Sequence, residues 1–66
     1  MNLYVVSKSF DMAVEEDWIL SGRAESAEKF AENAFIEGYE IFYDDFHDIA
    51  IVKYPEQTYM VFRLAE

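Results

Sequence analysis

The chain has 66 residues, fourteen Asp and Glu against five Lys and Arg, a formal net charge of −9, and no cysteine. This length fits a single domain over residues 1–66, and the lack of cysteine excludes a disulfide framework, a thiolate zinc site and a cysteine nucleophile. The charge disfavours binding to nucleic acid or to anionic membrane and favours basic protein surfaces. At 53% hydrophobic and 18% aromatic residues, the chain is too apolar for an acidic disordered segment, and we expect it to fold.

The first part of the chain predicts two strands. Residues 3–9 are rich in β-forming side chains, and residues 18–22 form a second run of the same kind. Between them, residues 12–14 are compatible with an extension of the hairpin, whereas residues 15–17 are typical of an exposed turn. The segment 10–17 is therefore left open between strand and loop.

The sequence of residues 24–38 predicts a helix. Ser26 is a candidate N-cap, because its hydroxyl can accept a backbone N–H of the first turn. Ala27, Phe30 and Ala34 recur at helical spacing, which predicts one apolar face packed closely on a sheet. Gly38 stands where a left-handed C-cap residue is expected.

The last part predicts three strands, at residues 39–43, 49–54 and 58–64, with a hairpin turn at residues 55–57. Pairing Tyr54 with Thr58 sets a register with one core face and one outer face. The core face is expected to hold Ala50, Val52, Met60 and Phe62, and the outer face Ile51, Tyr59 and Val61. The resulting fold class is α+β: an antiparallel sheet of four to five strands with one helix on one face, in the order β-β-α-β-β-β.

The residues that could carry catalysis are few. Two glycines exclude a phosphate-binding loop, and His47 is the only histidine. Residues 44–48 place three carboxylates beside this imidazole, which is compatible with a divalent cation but matches no known metal-binding loop. We expect no enzyme activity, no metal and no cofactor; a metal-dependent enzyme centred on His47 is the alternative.

Acidic residues form three groups in the middle of the chain, and we expect them to form a partner-binding surface. On the predicted helix, Glu28 and Glu32 are one turn apart, and Lys29 is expected to offset Glu25. The nine candidate residues are Glu15, Glu16, Asp17, Glu25, Glu28, Glu32, Asp44, Asp45 and Asp48. Neighbouring carboxylates on a helix face are spaced about 5–6 Å apart at Cβ, similar to successive phosphates on a nucleic-acid strand.

The whole chain resembles the small phage-encoded anti-CRISPR proteins, in particular the acidic members regarded as DNA mimics. The resemblance lies in the short single domain, the absence of cysteine, the strand that runs into a helix over residues 18–27, the terminal hairpin and the acidity. It implies a stoichiometric inhibitor that occupies the DNA-binding or PAM-reading surface of a CRISPR effector, with a multisubunit type I complex as the expected target. No motif carries individual functional residues across.

Two other binding functions stay open: a phage inhibitor of another host nucleic-acid enzyme, and a small interaction subunit that docks a basic partner through the outer face of the hairpin. In all three cases the expected partner is a basic protein surface, with no direct contact to nucleic acid or membrane. No run approaches the roughly 18 apolar residues of a membrane span, and no secretory leader is visible. We expect a monomer in the cytoplasm, that of the bacterial host if the protein is phage-encoded.

Overall fold

The chain folds into a five-stranded antiparallel sheet with a helix packed on one face, as a computed structural model describes it for residues 1–11, 14–36 and 39–65. The elements are β1 (Asn2–Ser7), a 3-10 turn (Glu15–Asp17), β2 (Trp18–Ala24), α1 (Ala27–Ala34), β3 (Glu40–Asp44), β4 (Ile49–Lys53) and β5 (Thr58–Arg63). The predicted α+β class and the β-β-α-β-β-β order are confirmed.

The strands lie side by side in the order β2-β1-β5-β4-β3, and each neighbouring pair is antiparallel. β1 and β5, which are far apart in sequence, are therefore neighbours in the middle of the sheet. β2 and β3 form the two edges. The pairing of β1 with β5 is therefore a long-range contact inside the sheet. The two edge strands, β2 and β3, each pair with a strand that is close in the sequence.

Helix α1 is shorter than predicted. Residues 23 and 24 continue β2, because they pair with residues 3 and 2 of β1. Ser26 is the N-cap, as predicted: its backbone is extended, and its Oγ accepts the Lys29 N–H at 3.1 Å. The helix ends at Ala34, and the predicted C-cap Gly38 lies outside the described residues. In the part of the chain that the structure describes, no helix has the length and apolar character needed to cross a bilayer.

The segment left open between strand and loop contains the 3-10 turn. Glu15–Asp17 makes this single turn, with the Asp17 N–H donating to the Val14 carbonyl at 3.1 Å. Met12 and Ala13 lie outside the described residues. For residues 15–17 the turn is therefore the correct prediction.

The core between helix and sheet combines small helix residues with larger strand residues. Ala27 and Ala31 are at most 1% exposed, which brings the helix close to the sheet. Phe30 stacks on Tyr4 of β1 with ring centroids 6.1 Å apart. A Cβ at Gly22 would stand 3.0 Å from the Phe30 ring, so the glycine makes room for that ring.

The predicted register of the last hairpin is wrong by one residue. Lys53, not Tyr54, pairs with Thr58, because residues 54–57 form the turn and the Tyr54 N–H donates to the Gln57 carbonyl at 2.8 Å. A shift of one residue moves every side chain of a strand to the other face. Tyr59 and Val61 therefore face the helix, and Val61 is fully buried, whereas Met60 and Phe62 lie on the opposite face.

The face opposite the helix has a small apolar cluster of its own. Val5, Met60 and Phe62 are buried there, and Trp18 packs edge-on against Phe62 with ring centroids 6.0 Å apart. The chain therefore covers much of this face with its own side chains. Of the three residues predicted for the outer face, Tyr59 and Val61 are not available there, and Ile51, which pairs with Met60, is on that face.

We expect Ser26→Ala to lower the free energy of unfolding by about 1 kcal/mol, because the Lys29 N–H loses its side-chain acceptor. Urea denaturation measures this loss. Ser21→Ala, on the exposed edge strand β2, is the matched control and should change stability by less than about 0.5 kcal/mol. Equal effects of the two variants would contradict the capping role.

Candidate partner-binding surface

Four of the nine predicted residues belong to α1 and β3, two elements that contact each other, and to the turn after β3. Glu28 and Glu32 belong to α1, and Asp44 and Asp45 belong to the end of β3 and the turn after it. We call these four residues the acidic flank. The other five predicted residues lie elsewhere or are engaged in the fold, as described below.

The helical part of the flank faces β3 through Tyr43. Burial raises the pKa of the Tyr43 phenol above its ordinary value, and the negative charges of Glu32 and Glu28 raise it further. Both carboxylates therefore act on the same β3 side chain. Because Glu28 and Glu32 are one turn apart, their side chains lie on one side of the helix, about 5–6 Å apart at Cβ.

The turn after β3 supplies the other two acids and an exposed aromatic ring. Asp44 accepts the His47 backbone N–H at 3.1 Å, and its second oxygen lies 2.7 Å from His47 Nδ1. The hydrogen bond to the imidazole, followed by the one to the backbone, lowers the pKa of the Asp44 carboxyl. Asp45 is exposed, and Phe46 is 91% exposed with its ring edge-on to His47. The turn thus presents negative charge beside a bare aromatic ring.

Asp48 has a structural role, although the sequence placed it with the surface acids. One of its carboxylate oxygens accepts the Tyr4 hydroxyl, and the other accepts the Ala27 backbone N–H at 2.9 Å. Its backbone is left-handed, with φ of 56°, a conformation that Asp tolerates better than most residues. Asp48 therefore ties the turn to the first turn of α1 and to β1, and its oxygens are engaged within the fold.

Glu25 and Lys29 differ from the predicted arrangement. Glu25 precedes the N-cap and so lies outside α1. The ammonium of Lys29 is 3.9 Å from a Glu32 oxygen, rather than offsetting Glu25, and both side chains are about half exposed. Exposed pairs of this kind contribute little to stability. The ion pair leaves the flank predominantly negative.

The remaining predicted acids, Glu15, Glu16 and Asp17, lie at the opposite edge of the sheet. Their 3-10 turn leads directly into β2, whereas Asp44 ends β3. Four strand spacings of about 4.8 Å separate these two edges, or about 19 Å across the sheet. The nine predicted residues therefore do not form one continuous surface.

His47, the centre of the alternative metal-dependent enzyme, lies on the surface. Its side chain is 62% exposed on the turn and contacts the Asp44 carboxylate. Within residues 1–11, 14–36 and 39–65, no three His, Asp or Glu side chains are grouped so that they could hold a metal ion. The expectation that the protein is not an enzyme stays a prediction.

Three exposed aromatic side chains beside the acids were missed by the sequence reasoning. Phe42 is 51% exposed, Tyr43 is 40% exposed, and Phe46, at 91%, is the most exposed of the large hydrophobic residues that the structure describes. For Phe42 and Tyr43 the signal was present in residues 41–43, where apolar side chains occupy consecutive positions and so must appear on both faces of a strand. For a strand at the edge of a sheet, one of those faces has little to pack against.

Comparison with known proteins finds no matching family model, no matching curated protein and no matching solved structure.

We expect Asp48→Ala to destabilise the protein by at least about 2 kcal/mol, because it leaves the Tyr4 hydroxyl and the Ala27 N–H without their acceptor. Asp48→Asn should lose less, since it keeps one oxygen acceptor and tolerates the left-handed backbone. Asp45→Ala, the exposed neighbour, should stay within about 0.5 kcal/mol of the unmodified protein. Urea denaturation measures the free energy of unfolding of all three variants. Equal losses of stability in Asp45→Ala and Asp48→Ala would rule out the structural role of Asp48.

The fall in the free energy of unfolding at alkaline pH should depend on Tyr4. Burial, together with the hydrogen bond to Asp48, raises the pKa of the Tyr4 phenol above its ordinary value of 10.0. Folding therefore favours the protonated phenol, and the resulting stability is complete below about pH 10 and is lost as the pH rises through the raised pKa.

Tyr4→Phe should consequently flatten the fall in unfolding free energy between about pH 9 and about pH 11. Tyr43→Phe should flatten it less, because Tyr43 is 40% exposed whereas Tyr4 is fully buried. Thermal or urea unfolding across this pH range measures both slopes. An unchanged slope in Tyr4→Phe would show that the Tyr4 proton does not contribute.

Proposed function

We propose that the protein is a stoichiometric inhibitor that mimics nucleic acid. The acidic flank would occupy the cationic DNA-binding or PAM-recognition surface of a CRISPR effector, and the expected target is a type I complex. The observation that carries this proposal is that α1, which bears Glu28 and Glu32, contacts β3, at whose end Asp44 and Asp45 lie. These four acids come from two elements that are separate in the sequence. The fold, not the local sequence, brings these two elements together; Asp44 alternates with Tyr43 along β3 and so lies toward the face away from the helix.

Part of the flank is held in place by hydrogen bonds. The hydrogen bond from the Ala27 N–H to Asp48 fixes the β3–β4 turn against the first turn of α1, next to Glu28. Asp44 is held by the two contacts to His47. Charges fixed before binding cost less ordering entropy when a partner is bound, as a mimic of a regular phosphate array requires.

The hydrogen bonds from His47 lower the pKa of the Asp44 carboxyl, and Asp44 contributes negative charge to the flank at neutral pH, as an ordinary Asp does. A fixed set of negative charges steers association with basic surfaces, and the effect weakens as salt screens it. The net charge of −9 acts in the same direction over a longer range.

The proposal is tested by competition. The purified protein is titrated into type I and type II CRISPR effectors and into unrelated nucleic-acid-binding complexes, while the binding of labelled duplex DNA is followed at two salt concentrations. We expect loss of DNA binding in at least one effector, and a stronger effect at the lower salt concentration.

Two charge-reversed double variants separate the flank from net charge. Glu28→Lys with Glu32→Lys should weaken inhibition at least tenfold, a change of about 1.4 kcal/mol or more. Glu15→Lys with Glu16→Lys changes the net charge equally, but at the opposite edge of the sheet, and should retain most of the inhibition. Equal losses would assign the effect to net charge alone, and intact DNA binding across the whole panel would refute the mimicry.

A further inference from the structure

β3 is an edge strand whose only charged residues, Glu40 and Asp44, stand at its two ends. Natural edges are protected by lysine, proline, bulges or short length. β3 contains neither lysine nor proline, and it pairs with β4 over five consecutive residues without a break in register. Within the described part of the sheet, no strand lies on its outer side.

The other edge is different. β2 shows a shift of register against β1 beside Val6 and Ser7, and it contains Gly22 and Arg23. A bulge twists an edge away from incoming strands. The two edges are therefore not equivalent, and β3 is the edge with the more regular backbone for pairing with a further strand.

The side chains of β3 point to a basic occupant. On the helix side, Tyr43 lies under the influence of Glu28 and Glu32. On the other side, the Phe42 ring already has the Lys53 ammonium 5.4 Å from its centroid, a cation–π distance. Glu40 and Asp44, at the two ends of the strand, are exposed. Both sides of the edge thus offer carboxylates or aromatic rings, the groups that bind Lys and Arg.

A second copy of this chain does not fit the same edge. Pairing two β3 strands would bring Glu40 and Asp44 of each copy together, and like charges placed opposite each other in a sheet are destabilising. The net charge of −9 on each chain adds to the repulsion. The occupant is therefore a strand of opposite charge.

We propose that β3 accepts an extended segment of the partner protein, with Lys or Arg at alternate positions, as a sixth strand of the sheet. Backbone hydrogen bonds to β3 supply affinity, and the basic side chains of the added strand lie on the face away from the helix, beside Glu40, Phe42 and Asp44, which share that face. This inference rests on the proposed function in that the partner is cationic, and it adds how that partner is held.

The test uses isotope-labelled full-length protein and peptides of about ten residues, a length that spans an ordinary strand. The probe alternates Lys and Thr. Two versions carry backbone N-methyl groups, one on every Lys and one on every Thr, and a fourth peptide alternates Glu and Thr. In an added strand, every second N–H points toward β3, so one N-methylated version should bind at least about tenfold more weakly while the other retains binding.

Amide chemical shifts and hydrogen exchange report where the probe binds. Changes and protection should centre on residues 40–44, and not on β2. Phe42→Lys should weaken binding of the Lys-Thr peptide at least about tenfold, whereas Ile19→Lys, a similarly exposed edge position on β2, should leave it within about twofold. The melting temperatures of both variants verify that they are folded.

Each contrary result has a distinct meaning. Equal binding of both N-methylated peptides would overturn strand addition but leave the acidic flank as a charge-based surface. Equal binding of the Glu-Thr peptide would overturn the choice of a basic occupant. If no peptide binds at millimolar concentration, β3 does not accept a strand, while the competition with DNA still decides the proposed function independently.

Discussion

The Asp48 carboxylate joins three parts of the chain that are distant in sequence. It accepts hydrogen bonds from the Tyr4 hydroxyl on β1 and from the Ala27 N–H at the start of α1, while Asp48 itself ends the β3–β4 turn. Because Tyr4 is fully buried under Phe30, this polar contact lies at the margin of the core, where an unpaired donor is costly. The position of the turn relative to the helix, and with it the shape of the acidic flank, depends on this one side chain.

The acidic residues of the flank repel one another. Glu28 and Glu32 repel each other across one helical turn, and both also disfavour ionisation of Tyr43. Lys29 and His47 each contact one acid of the group, at Glu32 and at Asp44. They soften the repulsion without covering the surface, because all four of these side chains are about half exposed or more. A cationic partner would relieve the same repulsion more fully, which is the physical basis for the proposed binding role.

The sequence predicted the elements better than their pairing. The helix stripe, the Ser26 cap and the order of the strands follow from local periodicity and turn chemistry, which act within a few residues. The register of β4 and β5 does not, because residues 58–62 are apolar or amphipathic at nearly every position and therefore fit either face. The choice was decided by the turn, whose first residue proved to be Tyr54 rather than Pro55.

The acidic surface was predictable in composition but not in geometry. Nothing in the local sequence distinguishes Asp48 from Asp45, since the partners of Asp48 lie at positions 4 and 27. Likewise, Glu15–Asp17 and Asp44 are separated by the width of the sheet, and only the strand order reveals it. The aromatic residues beside the acids became evident once β3 was placed at an edge.

The central position of β1 also matters while the chain is being synthesised. One neighbour of β1 is β2, which follows soon after it, but the other is β5, the last strand. Until β5 is made, one side of β1 stays open, and open strand edges of nascent chains pair with one another and aggregate. The stretch made in that interval, residues 11–48, contains twelve acids against Arg23 and Lys29. Unfinished chains therefore repel one another, and this repulsion opposes aggregation while one side of β1 is still open.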